Sequence, residues 1–405
     1  RARGARFVAG GDGVGRLPDG RTVFIPRTAP GDLVAPSQLR LHARFARARI
    51  GQLLEAAPGR VEPRCRHYAG HDCGGCQLQH LEAAGQLEAK RVALRDALER
   101  IGKLQVEVPP VIAATTAWDY RSRITLAPGP KNRYAGFHPV DRPDHVFPLE
   151  RCEIAEPAVR DLWQAVKDHL ALLPPDTETI TLRVDRSGGE HLVVRAEGKQ
   201  AWNDAVKLAD RIDRGRLSIW WQPKGGVARI MAGRREVAPA TVFEQVFPAM
   251  GDMVRACAIE KLGVVQDQHG WDLYSGIGQT TAALADLGAT VESIELDARA
   301  VEWATSRLRA SARAYHGSVE TTLAKLADAS FAVTNPPRTG MGPQVVSEIL
   351  KRPPGRMVYI SCDPATLARD LKQLCEAAYH LREVRGFDLF PQTAHLETVA
   401  LLEAA

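Results

Sequence analysis

The sequence lacks the long apolar runs and the targeting segment that would place it in a membrane or outside the cell. No run approaches the ~18 consecutive apolar residues of a membrane-spanning helix. The Arg-rich start also lacks the apolar core of a signal peptide. The 7 cysteines are an odd number, which argues against a framework of disulfides. These absences predict a cytoplasmic protein without structural disulfides.

Net charge is small overall but concentrated at the start of the chain. The 405 residues carry a formal net charge of +5, whereas the first 60 contain 11 Arg, no Lys and 4 acidic residues. Such a basic block predicts contact with a polyanion, most simply the phosphates of a nucleic acid. The alternative is a solvated Arg-rich surface without a partner. A chain of this length exceeds a single core, which indicates about two to four domains.

Residues 1–58 show short β-type runs separated by Gly and Pro turns, followed by alternating apolar and basic residues such as Leu39, Arg40 and Leu41. This pattern predicts a small OB-like β-barrel with a basic face. Part of it also resembles the TRAM domain, an RNA-binding module found in front of some RNA-modifying enzymes. That resemblance rests on the runs 13–16, 23–26 and 30–32.

Three cysteines crowd together in the next segment. Cys65 is followed by Cys73 and Cys76, and the glycine turn between the last two allows both sulfurs to face one metal centre. The candidates for a fourth ligand are His67, His71, His80 and Cys152. Zinc accepts a mixture of Cys and His, whereas a 4Fe-4S cluster prefers four thiolates, so the spacing leaves both open. Three unligated core thiols are the remaining alternative.

Residues 59–240 mix helical and β-type patterns, which predicts an α+β domain around the cysteine segment. Apolar positions at helical spacing predict helices over residues 81–101 and 157–173. Strands are predicted at 124–126, 180–184, 192–195 and 217–221. The runs 118–123 and 131–134 interleave aromatic residues with cations and therefore suit the stacking and neutralisation of nucleotides.

Strand and helix patterns alternate over residues 241–405, which predicts a parallel, doubly wound Rossmann-like sheet. One strand leads into Gly276 and Gly278, and Glu295 ends the next strand. Bare backbone at such a turn approaches a nucleoside, and a carboxylate about 20 residues later binds ribose hydroxyls. The turn lacks the third glycine of the dinucleotide motif, and no Walker-type Gly-Lys-Thr occurs. The pattern therefore favours S-adenosylmethionine over NAD or ATP.

Two further strand ends carry residues that suit chemistry. Asn335 is followed by two prolines, and an amide held rigidly in this way can donate to one ring atom and accept from another. A similar segment binds the target nitrogen in methyltransferases that act on amino groups. Cys362 follows a β-type run, and Pro364 marks the first turn of a helix. A helix N-terminus lowers the pKa of a thiol, which predicts a reactive Cys362; the alternative is a buried structural cysteine.

These motifs together resemble the RNA uracil-C5 methyltransferases, the bacterial 23S rRNA and tRNA m5U enzymes, over nearly the whole chain. The resemblance rests on the runs 73–80, 243–246, 272–278, 361–370 and 395–398. It implies a TRAM domain, a central α+β domain with an iron-sulfur loop, and a Rossmann-like S-adenosylmethionine-dependent catalytic domain. A TRAM-like domain is more usual in the rRNA enzymes, so we expect the protein to act on 23S rRNA. We also expect it to be a monomer.

The resemblance also implies roles for individual residues. The 4Fe-4S cluster would be held by Cys65, Cys73, Cys76 and Cys152. The cofactor would be bound by Gln245, Tyr274, Gly276, Gly278, Gln279, Glu295, Ser318 and Asn335. Cys362 would add to C6 of uracil, which activates C5 for attack on the methyl group, and Glu397 would then accept the C5 proton. A target uridine in folded RNA has to flip out of its stack to reach such a pocket.

Asn335 stands where the family usually has an aspartate, and this difference leaves two other functions open. One is an amino-group nucleic-acid methyltransferase that holds an exocyclic amine with Asn335, Pro336 and Pro337. Its activity would survive the replacement of Cys362. The other is a catalytically silent RNA-binding iron-sulfur protein, which would transfer no methyl groups to RNA.

Overall fold

The computed structural model describes the whole chain except residues 1, 4, 5, 8, 9, 199–201 and 236–239. Within these limits the chain forms three sheets that follow one another along the sequence, with six, seven and seven strands. None of the described helices has the length and apolar character needed to cross a lipid bilayer.

The first sheet has the strand order β1-β5-β6-β4-β3-β2. Its strands are β1 Ala2–Arg3, β2 Arg6–Phe7, β3 Asp12–Arg16, β4 Thr22–Pro26, β5 Leu33–Leu41 and β6 Phe45–Glu55. Val23, Ile25 and Val34 lie at the centre of its small core. Leu39 and Leu41 of the alternating pattern are 46% and 54% exposed, because the last four residues of β5 extend beyond that core.

Two helices connect the first sheet to the second. They are α1 Arg66–Gly70 and α2 Ala83–Ala97, and α2 continues into a π-helical turn at Leu98–Gly102. The helix predicted over residues 81–101 is confirmed, but its apolar face packs in the core of the third sheet, where Leu94 and Leu98 are buried. The sequence pattern shows that the helix has an apolar face, not which core that face joins.

The second sheet has the order β13-β12-β11-β10-β7-β8-β9. Its elements are β7 Arg123–Pro128, β8 Ala135–Phe137, β9 Phe147–Pro148, α3 Pro157–Lys167, β10 Thr177–Val184, β11 Glu190–Ala196, α4 Ala205–Ile212, β12 Leu217–Pro223 and β13 Arg229–Gly233. The four predicted strands of this region are confirmed. The predicted helix over residues 157–173 ends at Lys167, and Leu170–Leu172 form a separate short turn of 3-10 helix.

The third sheet has the order β16-β15-β14-β17-β18-β20-β19. Its elements are α5 Pro248–Leu262, β14 His269–Leu273, α6 Gln279–Asp286, β15 Thr290–Glu295, α7 Ala298–Thr305, β16 Ala312–His316, α8 Val319–Thr322, β17 Phe331–Thr334, α9 Pro343–Lys351, β18 Arg356–Ser361, α10 Pro364–Ala377, β19 Tyr379–Phe387 and β20 Glu397–Ala404. Strands β14 to β18 are parallel, and β20 runs antiparallel to both β18 and β19. The predicted doubly wound sheet and its final hairpin are therefore confirmed.

Local sequence determines the turn between β18 and α10. Five of the six residues of β18 are buried, as expected for a strand that is covered on both faces. The Asp363 side chain accepts hydrogen bonds from the backbone N–H groups of Ala365 (2.9 Å) and Thr366 (2.8 Å), which caps α10. Pro364 occupies the first turn, where its missing N–H costs nothing. Cys362 thus lies at the carboxyl end of a central parallel strand.

Candidate active site

The loop after β14 has the backbone shape needed for close approach of a nucleoside. Tyr274, Gly276 and Gly278 have φ values of 62°, 56° and 77°. A Cβ atom on Gly278 would lie 2.9 Å from the Cβ of Ala304, so only glycine fits without displacement. The N–H of Gly276 donates to a carboxylate oxygen of Glu295 at 2.8 Å, which ties the loop to the end of β15.

The structure brings together five of the eight predicted cofactor residues. One cavity beside this loop is lined by Gln245, Tyr274, Gly276, Gln279 and Asn335, among others. Gly278 belongs to the same turn, and Glu295 contacts the turn from the next strand. Ser318 lies apart, at the start of α8, where its hydroxyl is 3.1 Å from that of Thr321. The backbone N–H of Gly317 donates to the carbonyl of Glu295 at 3.0 Å. Ser318 therefore lies just after the end of β16, the strand next to β15.

The expected lowering of the Cys362 pKa is wrong for the protein without substrate. Burial, followed by the nearby negative charge of Glu397, raises the pKa of the Cys362 thiol. The charge of Arg338 and a hydrogen bond from it act in the opposite direction. The N-terminus of α10 does not determine the direction of the Cys362 pKa shift, because its N–H groups at Ala365 and Thr366 already donate hydrogen bonds to Asp363.

Glu397 is a buried carboxyl group next to these residues. It begins β20 and is 1% exposed. Burial raises its pKa to about 8, while a hydrogen bond from Gln245 and the charge of Arg338 lower it. The Gln245 amide donates to one carboxyl oxygen at 3.4 Å, and within the described residues the other oxygen has no hydrogen-bond partner. This group can therefore hold a proton at neutral pH and release or accept one as its surroundings change.

Arg338 and His395 are site residues to which the sequence patterns give no role. Both line a cavity of about 520 Å³, and Arg338 also contacts the thiol of Cys362. Arg338 brings positive charge to Cys362, Glu397 and His395. Burial, and then the charge of Arg338, lower the pKa of His395 to about 4, so its ring is neutral at pH 7. Arg338 directly follows Asn335 and the two prolines, and that position is the signal by which it could have been found.

The same cavity is lined by the four predicted cysteine ligands, Cys65, Cys73, Cys76 and Cys152. Burial raises the pKa of Cys73 to about 12 and that of Cys76 further still. Among the described residues, no group of three or more His, Cys, Asp or Glu side chains is arranged to hold one metal ion. Sulfurs that share a single zinc ion lie ~3.8 Å apart, because each Zn–S bond is about 2.3 Å. The four thiols thus line one cavity together.

Part of the basic N-terminal block is used to hold this cysteine segment. Arg27 donates to the carbonyl of Cys73 at 3.0 Å, and its guanidinium lies 3.8 Å from the centre of the Tyr68 ring. Arg49 forms an ion pair with Asp72 at 2.8 Å. These two arginines are engaged within the protein, whereas Arg40, Arg44 and Arg47 are exposed. Only a part of the predicted basic face is therefore available to a polyanion.

The glycine turn after β14 and the acid at the end of β15 are a nucleoside-binding arrangement, which fits the class of S-adenosylmethionine-dependent methyltransferases. The sequence model of the family described as tRNA (Uracil-5-)-methyltransferase matches residues 312–405. The chain is 31% identical to an uncharacterised RNA methyltransferase of Gloeobacter violaceus, covering 98% of this chain and 94% of that protein. It is 32% identical to the 23S rRNA (uracil(1939)-C(5))-methyltransferase RlmD of Nitrosococcus oceani, covering 95% of this chain and 92% of that protein.

The fold is similar to the crystal structure of Pyrococcus abyssi tRNA (uracil-54, C5)-methyltransferase in complex with S-adenosyl-L-homocysteine. The TM-score is 0.72 at 23% sequence identity, and the match covers 99% of this chain and 100% of that one. The chain belongs to the family of S-adenosylmethionine-dependent RNA uracil-C5 methyltransferases.

Proposed function

We propose that the protein methylates C5 of a uridine in 23S rRNA, with Cys362 as the nucleophile and Glu397 as the base. One observation carries this proposal: Ser361 of β18 pairs with Thr398 of β20, which brings the adjacent residues Cys362 and Glu397 to the same end of the two strands, where the charge of Glu397 raises the pKa of the Cys362 thiol. Gln245 connects Glu397 to the cofactor cavity, because it lines that cavity and donates to Glu397. The similarity to RlmD of Nitrosococcus oceani supports 23S rRNA as the substrate.

The nucleophile is needed because C5 of uracil is too weakly nucleophilic to attack a methyl donor unaided. The Cys362 thiolate forms a bond to C6, and the electrons of the C5–C6 double bond move to give an enolate with charge on O4. C5 then takes the methyl group that the bound cofactor supplies. Arg338 assists the first stage, because its charge and its hydrogen bond favour the Cys362 thiolate.

A proton acceptor is needed to restore the uracil ring after methyl transfer. C5 then carries both a methyl group and a proton, and Glu397 in its ionised form accepts that proton. The electrons of the C5–H bond re-form the double bond, the C6–S bond breaks, and the thiolate leaves. A carboxylate with a raised pKa suits this step, because a base is most effective when its pKa lies near the working pH.

Asn335 is proposed to discriminate between bases. It lines the cofactor cavity, and its backbone N–H donates to the carbonyl of Leu273 at 3.1 Å at the end of β14. An amide can donate to O4 of uracil and accept from its N3–H. Uracil can therefore remain the target base although an asparagine stands where the family usually has an aspartate.

The four cysteines are proposed to hold an iron-sulfur cluster, since such clusters prefer four thiolates. Their donor set is entirely thiol, and the N–H of Gly75 points at the sulfur of Cys73 at 3.5 Å, as is typical around cluster sulfurs. Cys65, Cys73, Cys76 and Cys152 would hold the 4Fe-4S cluster, which would stabilise the cysteine segment. Iron and sulfide content after anaerobic purification tests this assignment, and zinc without iron would refute it.

The N-terminal sheet is proposed to be the TRAM domain that binds the RNA. Its exposed hairpin end, with Arg40, Leu41 and Arg44, is free of the ion pairs that engage Arg27 and Arg49. Cations next to apolar and aromatic side chains suit single-stranded RNA.

A mechanism-based RNA tests the nucleophile. In 5-fluorouridine the C5 position carries fluorine, which cannot leave as a proton does, so a covalent adduct should persist after methyl transfer. The adduct should form with the wild type and with Cys375→Ala, a control on the helix that follows Cys362, but not with Cys362→Ala. Methyl transfer that survives Cys362→Ala would instead support an amino-group methyltransferase that uses Asn335.

The RNA species is tested by mass spectrometry. We expect m5U at one site of 23S rRNA to disappear from cells that lack the protein and to return with the wild-type gene. Loss of m5U from tRNA alone would refute the rRNA assignment without affecting the chemistry.

A further inference from the structure

The loop that leads to Glu397 is held by the cysteine segment, by α2 and by the stretch of chain before β7. This loop, residues 388–395, connects β19 to β20 and ends two residues before Glu397. Phe390, Thr393 and His395 of the loop line the same cavity as Arg338. A displacement of the loop therefore moves the start of β20 and the carboxyl group of Glu397.

Most of the bonds to the loop come from residues that precede the second sheet. The backbone N–H groups of Gln77 and Leu78 both donate to the carbonyl of Gln392, at 3.1 and 3.0 Å. Gln86 and Gln392 exchange two bonds of 3.0 Å, one from each side. The ammonium of Lys90 donates to the carbonyl of Phe390 at 3.0 Å. The loop is thus held in place from outside its own sheet.

The Gln77 side chain has a special place among these contacts, because it follows Cys76 directly. Its amide nitrogen donates to the carbonyl of Gly74 at 2.7 Å, inside the turn between the two cysteines. Its amide oxygen accepts from the N–H of Ala394 at 3.2 Å, in the loop. A single side chain thereby joins the cysteine turn to a residue three positions before Glu397. Both ends of the amide are used, so neither a shorter nor a purely apolar side chain would reproduce the link.

We propose that Gln77 is a positioning residue that couples the cysteine turn to Glu397 and so holds the carboxylate in line for removal of the C5 proton. This inference rests on the proposed role of Glu397. It assigns the cysteine segment a part in the second half of the reaction, after the thiol has added and the methyl group has been transferred. Addition of Cys362 and methyl transfer involve other elements, the end of β18 and the loop after β14, and do not depend on the link.

The expected defect follows from the order of the steps. If proton removal slows while addition and methyl transfer do not, the methylated RNA remains bonded to Cys362. Gln77→Ala removes two hydrogen bonds, and we expect kcat to fall about tenfold with an unchanged KM for S-adenosylmethionine. A covalent complex with ordinary uridine RNA should accumulate on a denaturing gel, which neither loss of RNA binding nor partial unfolding would produce.

The matched control is Gln268→Ala, because Gln268 makes one exposed bond to the carbonyl of Val264, at 2.9 Å, away from the loop. Hydrogen–deuterium exchange of residues 388–396 should be faster in Gln77→Ala and unchanged in the control. Gln77→Glu keeps the acceptor for Ala394 but loses the donor to Gly74, so its adduct should decay at a rate between those of the wild type and Gln77→Ala.

Three outcomes would overturn the inference. They are full activity of Gln77→Ala, lost activity without an adduct on uridine RNA, and unchanged exchange of the loop. Glu397→Gln serves as the reference, because it should accumulate the same adduct. An absence of adduct in Glu397→Gln would count against the proposed function itself, and the two failures are thereby distinguished.

Discussion

The buried position of Glu397 predicts a steep dependence of turnover on pH. A carboxyl group acts as a base only when ionised, and the pKa of Glu397 is raised to about 8 by burial. The ionised fraction is then roughly one hundredth at pH 6, one tenth at pH 7 and nine tenths at pH 9. If proton removal limits turnover, kcat should rise about ninetyfold from pH 6 to pH 9 and level off above the pKa.

The assay is methyl transfer to uridine RNA at saturating RNA and cofactor, with adduct formation on 5-fluorouridine RNA measured in parallel. Adduct formation reports Cys362, whose pKa is raised by burial and by the charge of Glu397. In Glu397→Gln that charge is absent, so the midpoint of adduct formation should move to lower pH. Turnover of this variant should fall by several orders of magnitude, while a stable complex with ordinary uridine RNA builds up.

Two results would refute this reasoning. One is a flat profile of kcat between pH 6 and pH 9 in the wild type, which would mean that no buried carboxyl group limits the reaction. The other is near-normal turnover by Glu397→Gln. Circular dichroism across the same pH range is the control for loss of fold, and the Cys375→Ala variant should follow the wild-type profile throughout.

Three further substitutions test the structure around the site. Gly278→Ala forces a side chain into left-handed backbone 2.9 Å from the Cβ of Ala304, and calorimetry should show weaker cofactor binding together with a loss of about 1–2 kcal/mol in stability. Lys90→Met leaves Asp388 buried without its ion pair and should lower the free energy of unfolding by about 3–5 kcal/mol. Adding Asp388→Leu should restore most of this stability. A double variant that is no more stable than Lys90→Met would contradict the pairing. Asp363→Ala removes the cap of α10 and should cost about 1 kcal/mol in thermal denaturation, whereas an unchanged melting temperature would speak against the cap.

The parts of the fold that depend on neighbouring residues could be predicted from the sequence. The β18–α10 turn is an example, since its apolar strand, Asp363 cap and Pro364 lie within a few residues of each other. The same is true of the Gly276–Gly278 turn and its acidic partner. The core that helix α2 joins could not be predicted, because that choice depends on contacts with α10 and β19 far along the chain.

The candidate site was also predictable only in part. Cys362, Glu397 and most of the cofactor residues lie where their motifs place them, but the direction of the Cys362 pKa was not predictable from its own turn. That direction depends on burial and on the charge of Glu397, which comes from another strand. Arg338 has no signal of its own beyond its place after the two prolines, and its importance becomes visible only when β17, β18 and β20 lie side by side.

The packing of α2 on the third sheet has a consequence for how the protein is made. Leu94 and Leu98 are synthesised long before α10, the helix that covers them in the finished core. During synthesis their apolar face must stay exposed or be shielded by other surfaces while the whole second sheet is added. A fragment that begins at residue 241 would lack this helix and leave a matching gap beside α10. We expect the catalytic region to complete its folding only after α10 and β20 have been synthesised, which makes it dependent on protection of the nascent chain.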